Sequence, residues 1–228
     1  SSMSHLRSQL VPETVIVDYD AGNLRSVQRA CAEVGLAAHI CADPSRLRRA
    51  DRIIFPGVGQ AGSAMATLNR TGLGEALRQR LGEGVPVLGI CLGLQISLDH
   101  SEEGDTPTLG LLAGETRRFQ FADPALKVPH MGWNTLSLRQ PHPVLQDLRE
   151  DDAFYFVHSY FTVPRDPSVV LAEVTYEQPF CCALGKDSYV GVQFHTEKSG
   201  RAGLALLSRF AAWDGVFVPD AGEASRAD

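Results

Sequence analysis

The stretch Gly84–Asp99, GVPVLGICLGLQISLD, constrains this chain more than any other. Val85–Ile90 is a short apolar run opened by Gly-Pro punctuation and broken by glycine, the pattern of a buried strand entering a tight turn. Leu92–Leu98 then predicts the first turns of a helix. Cys91 stands at the junction between Gly89 and Gly93, so the stretch has the layout of a nucleophile elbow, which lifts one side chain clear of a sheet. A thiol there would sit at the positive end of a helix dipole, which favours the thiolate. The competing reading is a buried structural cysteine, since a free thiol behaves as a small hydrophobe.

An elbow needs a parallel sheet around it, and the flanking sequence supplies one. Thr14–Asp18 is a β-branched run that ends in Tyr19-Asp20-Ala21-Gly22-Asn23, followed by a helix with Leu24, Val27, Cys31 and Val34 at helical spacing and Gly35 as its stop. Leu36–Cys41 and Arg52–Phe55 read as two further strands, the second ending in Pro56-Gly57-Val58-Gly59. Helices are expected around 60–68 and 73–81. This alternation predicts an α/β fold with a largely parallel twisted sheet flanked by helices, whose ligands gather beyond the carboxyl ends of the strands. After about residue 108 the runs shorten: 115–121, 128–138, 153–163, 169–176, 180–184 and 189–194 are strand-like, separated by turn residues, and would extend the sheet or form a smaller mixed layer. Ser199 opens a last helix with Leu204, Leu207, Phe210 and Ala211 on one stripe.

The 228 residues show no low-complexity divide, so one domain is expected over 14–213, with 1–13 as an N-terminal extension and 214–228 as a tail. Ser1-Ser2 ahead of Met3 reads as an addition, and 1–13 lacks the apolar core of a secretion signal. Net charge is −6 without a basic block, which excludes an electrostatic case for nucleic acid or an anionic membrane. The most apolar stretch is too short and too interrupted to span a bilayer. Five cysteines without a C-x-x-C pair argue against a disulfide framework and a zinc site, and suit the reducing cytoplasm.

Val190–Glu197 is an apolar run ending in His195-Thr196-Glu197. If extended, it puts residues two apart on one face, so Glu197 can orient the His195 ring, and His195 can take a proton from Cys91. His-x-Glu in isolation is more often a surface pair. Joined to the elbow and to a glycine loop with free N–H groups for an oxyanion, it completes a nucleophile, a base and its orienter. His130 and His142 stand beside prolines and read as bystanders.

PGVG (56–59), PVLGICLGLQ (86–95) and GVQFHTEKSG (191–200) together resemble the three motifs of the class I, triad-type glutamine amidotransferases. VDYDAGNLRSV (17–27), PHMGWN (129–134) and FYFVHSY (154–160) are similar, within that family, to the glutaminase subunits of imidazole glycerol phosphate synthase in histidine biosynthesis; the resemblance covers about 14–213. It implies Cys91 as nucleophile, His195 as base and acid, and Glu197 as orienting carboxylate. The N–H of Leu92 and one from the Val58-Gly59 turn would form the oxyanion hole. Gln95 and Glu103 match positions that hold the glutamine head group, with His158, Ser159 and Tyr160 bordering it. No metal and no cofactor are implied. The implied partner is the barrel-shaped cyclase subunit of a heterodimer, which would use the ammonia on a phosphoribosyl-linked aminoimidazole carboxamide nucleotide; Asn23, Trp133, Asn134 and Lys198 are expected on the rim that meets it. Thr196 departs from the family's usual Pro and predicts a looser link between base and orienter. The alternatives are a glutaminase of another pathway, such as pyridoxal phosphate synthesis, and a non-catalytic α/β binding module.

Overall fold

The computed structural model describes residues 12–219. Most of the expected extension, and the tail from 220 onward, therefore lie outside the described residues. Five parallel strands form the centre of the main sheet, in the order Ala38–Cys41, Thr14–Val17, Arg52–Gly57, Val87–Cys91, Tyr189–Val192. All but the edge strand Ala38–Cys41, where His39 is exposed, are β-branched or apolar runs buried on both faces, as a parallel sheet covered by helices requires. Successive residues serve opposite layers. Ile16, Ile54, Leu88, Ile90 and Val192 pack against the helices Leu24–Glu33 and Gly200–Ala212. Val15, Val17, Ile53, Phe55 and Val87 pack against Ala61–Thr71 and Leu73–Gly82.

The second half continues the sheet in antiparallel fashion. Gln178–Lys186 pairs with Tyr189–Val192 as a hairpin, then follow Tyr160–Pro164 and Gly114–Arg118. The run 153–163 is not one strand. It divides at Ser159 into Ala153–His158 and Tyr160–Pro164, because the first half leaves the main sheet to pair with His130–Thr135 in a separate two-stranded sheet. Both outcomes allowed by the strand pattern, extension and a smaller layer, are therefore realised.

Three further expectations are corrected. The helix after Cys91 is a single turn, Leu92–Gln95, rather than a run to Leu98. It stops because the chain at 108–112 bonds to the carbonyls of Ile96, Ser97 and Leu98. The last helix buries Gly203, Leu206, Leu207 and Phe210; Leu204 and Ala211 lie only at the edge of that stripe. Each of the large apolar side chains so buried contributes about 1.5–3 kcal/mol. Finally, residue 213 does not end the packed chain. Trp213 and Phe217 are buried, and both rings lie against His142, with centroids 4.9 and 4.6 Å apart.

Candidate active site

The ends of the Arg52–Gly57, Val87–Cys91 and Tyr189–Val192 strands meet at one cavity of about 380 Å³. Cys91 ends the middle strand with φ +54° and ψ −112°, a conformation that L-residues rarely adopt. Packing enforces it. A Cβ on Gly93 would stand 1.8 Å from the Phe55 carbonyl oxygen, so only glycine lets the turn after Cys91 close on the neighbouring strand. Because the following helix is one turn long, its dipole is small, and the side chains around Cys91 are the stronger influence.

Those side chains are His195 and Glu197. Nδ1 of His195 lies 2.8 Å from Glu197 Oε1, and both side chains are almost wholly covered. The backbone that joins them is not extended: Thr196–Lys198 is a turn of 3₁₀ helix, which folds Glu197 back onto the ring. The looseness expected from Thr196 is offset by other bonds. The His195 N–H donates to the Tyr155 carbonyl at 3.0 Å, and Ser199 Oγ donates to the His195 carbonyl while accepting from the Tyr155 N–H. Nε2 of His195 is buried without a hydrogen-bond partner. Burial by itself would lower the imidazole; the Cys91 side chain and then Glu197 outweigh it and push it up to about 10. Those interactions favour the protonated ring.

Val58 and Gly59 line the cavity beside Cys91 and Leu92. Leu92 heads its helical turn, where an N–H has no intrahelical partner. Val58 is different: its N–H donates to the Ala21 carbonyl at 2.6 Å and is engaged, contrary to the expectation that it is free for an oxyanion. The loop is held in that position by Tyr19, whose hydroxyl donates to the Pro56 carbonyl at 2.6 Å.

Gln95, Glu103, His158, Ser159 and Tyr160 line the same cavity, as does Lys198 at its exposed edge. Gln95 is buried, not on a solvated helix surface, and its Nε2 donates to the Tyr160 carbonyl and to Gln193 Oε1, each at 3.1 Å. Glu103 also has a structural task, accepting from the Ala61 N–H at 2.6 Å at the start of a helix. Of the rim residues, Asn23 and Trp133 are exposed and do not line the cavity. Trp133 faces Tyr155 across the small sheet, with ring centroids 5.8 Å apart. The Asn134 amide turns inward and meets His130 Nε2 at 2.8 Å.

His130 is no bystander. It is buried, with Nδ1 3.0 Å from His158 Nε2, while His158 Nδ1 meets the Tyr160 carbonyl at 2.7 Å. Burial is the main reason His158 is lowered to about 3; the Tyr160 carbonyl opposes that shift, and His130 and His195 add to it. His142 accepts from the Val144 N–H and stays a packing residue. The sequence also missed Gln193, whose Nε2 lies 3.7 Å from Cys91 Sγ, and Arg118, which lines the cavity with its guanidinium 5.7 Å from the Tyr160 ring centroid. The only sequence signal was for Gln193, two residues before His195; Arg118 is placed only by its pairing opposite Tyr160 in the sheet.

The glutamine amidotransferase class-I family model matches residues 15–212. The imidazole glycerol phosphate synthase subunit HisH of Neisseria meningitidis serogroup B is 46% identical over 212 residues, which span 88% of this chain and 100% of that protein. HisH of Desulfovibrio desulfuricans is 48% identical over 200 residues, 86% of this chain and 92% of the other. The chain belongs to the class I glutamine amidotransferases and, within them, to the HisH family. This amidotransferase also shares its fold with a solved structure of PurLQS from Thermotoga maritima, with a TM-score of 0.69 at 18% identity over 88% of this chain and 98% of the other.

Proposed function

We propose that this amidotransferase hydrolyses glutamine to glutamate and ammonia, with Cys91 as nucleophile, His195 as acid and base and Glu197 as orienter, and supplies the ammonia to a cyclase subunit in histidine biosynthesis. The observation that carries this reading is the convergence of a strained cysteine, a buried His–Glu pair at 2.8 Å and an amide and a carboxylate on one cavity wall.

The Cys91 thiolate attacks the side-chain amide carbon of glutamine, and the carbonyl electron pair moves onto oxygen, where Leu92 N–H and a second donor from the Val58-Gly59 turn receive it. For Val58 to be that donor its bond to Ala21 must open; Gly59 is the alternative. His195 Nε2–H then protonates the departing nitrogen, which leaves as ammonia, and a γ-glutamyl thioester remains. Neutral His195 takes a proton from water as its oxygen attacks the thioester; glutamate leaves and the thiolate returns. Glu103 suits the substrate ammonium. Both Gln95 N–H bonds are engaged, so its oxygen is what it offers the cavity. Arg118 suits the substrate carboxylate, with His158, Ser159 and Tyr160 walling the head group.

Ammonia released to water becomes ammonium, which is no nucleophile, so delivery to an attached partner is part of the function. Trp133, Asn23, Asn134 and Lys198 form the proposed docking rim. A cytoplasmic setting agrees with five free thiols, and among the described residues no helix is long and apolar enough to cross a membrane.

Amide cleavage and nitrogen use are separable by experiment. Cys91→Ala, assembled with the cyclase subunit, is expected to lose glutamine-dependent synthesis yet keep synthesis from ammonium salts at raised pH. Loss of both activities in a complex shown to be assembled would contradict the division of labour.

A further inference from the structure

Gln193 is a fully buried amide with no part in the scheme above, and it touches the nucleophile. The two ends of a carboxamide are chemically opposite, so the end that meets sulfur decides whether thiolate or thiol is favoured. Here a backbone carbonyl makes that choice. The Tyr160 oxygen can only accept, so Gln95 must present its N–H₂ to it. The second hydrogen of the same nitrogen goes to Gln193, so the Gln193 atom it meets is oxygen. What remains to face Cys91 Sγ, at 3.7 Å, is the Gln193 nitrogen. His158 Nδ1–H holds the same carbonyl from its other side and is itself backed by His130. An inverted Gln193, wholly buried as it is, would set N–H₂ against N–H₂ and oxygen against sulfur.

We propose that Gln193 is a catalytic residue: its amide N–H donates to Cys91 Sγ and favours the thiolate, while Gln95 and the Tyr160 carbonyl are positioning groups that keep the amide in its donor orientation. The thiol proton passes to His195 Nε2, and the electron pair left on sulfur accepts the Gln193 N–H. During thioester hydrolysis the S–C bond breaks, its pair returns to Sγ, and the same N–H receives it. The inference rests on Cys91 being the nucleophile.

The test is the pH dependence of iodoacetamide alkylation of the full chain, read at Cys91 by peptide mass spectrometry because Cys41 is also partly exposed. Gln193→Met keeps length without a donor; Gln193→Glu keeps the acceptor towards Gln95 and sets an anion beside the sulfur. The alkylation midpoint is expected to rise by about one pH unit or more in Gln193→Met and further in Gln193→Glu. That shift corresponds to about tenfold less thiolate at any pH below both midpoints, the size of a lost hydrogen bond to a charged group. Glutamine kcat/KM should fall in parallel. Gln95→Met, which frees the Gln193 amide to turn, should move the midpoint the same way and carries the test if the Gln193 variants do not fold. An unmoved midpoint in a folded Gln193 variant overturns the catalytic role, and an unmoved midpoint in Gln95→Met overturns the orienting role and, where no Gln193 variant folds, the proposal as a whole. Wild-type turnover and its loss in Cys91→Ala, measured alongside, test the triad separately: an active triad with unmoved midpoints removes Gln193 alone.

Discussion

Cys91 holds its side chain over the cavity only because its backbone sits at φ +54°, which costs a residue bearing a Cβ roughly 1–3 kcal/mol. Glycine adopts that conformation freely. Cys91→Gly is therefore expected to unfold in urea with about 1 kcal/mol more stability than Cys91→Ala, both being inactive; equal midpoints would mean that the elbow is unstrained. The partner residue gives a pH expectation. His195, raised to about 10 by Cys91 and Glu197 against its burial, keeps its proton below that value and loses it above. The acid that protonates departing ammonia is then missing, so glutamine kcat/KM should fall as pH rises through about 10. Glu197→Gln removes one raising cause and should shift that alkaline limb to lower pH in a kcat/KM–pH profile of the assembled enzyme. Triad residues of this kind were legible in the sequence because each stands in a local pattern. Gln193 and His130 were not, since a buried amide and a buried imidazole take their meaning from partners 98 and 28 positions away.

Among the elements, the 3₁₀ turn Thr196–Lys198 decides how well base and orienter are aligned. An extended run was expected there, and the pairing it implied arises instead from a turn. The hydrophobic pattern of a strand does not register where the chain bends, and the bend is set by bonds from His195 and Ser199 to Tyr155 on a different sheet. Thr196 is buried, its hydroxyl has no hydrogen-bond partner, and His195 before it lies at φ −86°, ψ 108°, a conformation that tolerates a following proline. Thr196→Pro is thus expected to keep glutaminase turnover and to gain about 0.4–1 kcal/mol in urea unfolding. A destabilised or inactive variant would show that the Thr196 N–H matters.

At the scale of the molecule, the small sheet formed by His130–Thr135 and Ala153–His158 joins an exposed face to the triad. Trp133 is 57% exposed on that face, and its neighbour Tyr155 bonds directly to His195. Trp133→Ala should weaken association with the cyclase subunit by tenfold or more, as loss of an interface hot spot does, and leave the unfolding midpoint of the isolated chain nearly unchanged. Titration calorimetry beside thermal unfolding separates the two; unaltered affinity would take Trp133 off the docking rim.

The sequence by itself determined the α/β order, the elbow, the triad and the family, because strand periodicity, glycine at close approaches and motif spacing are local properties of a chain. Tertiary structure decided what depends on distant partners. It engaged the Val58 N–H with Ala21, shortened the Cys91 helix against 108–112, split 153–163 between two sheets, and brought the Gln193 amide to the Cys91 sulfur. Most polar groups in a closed interior find hydrogen-bond partners, and which partners are within reach is set only once the layers have packed.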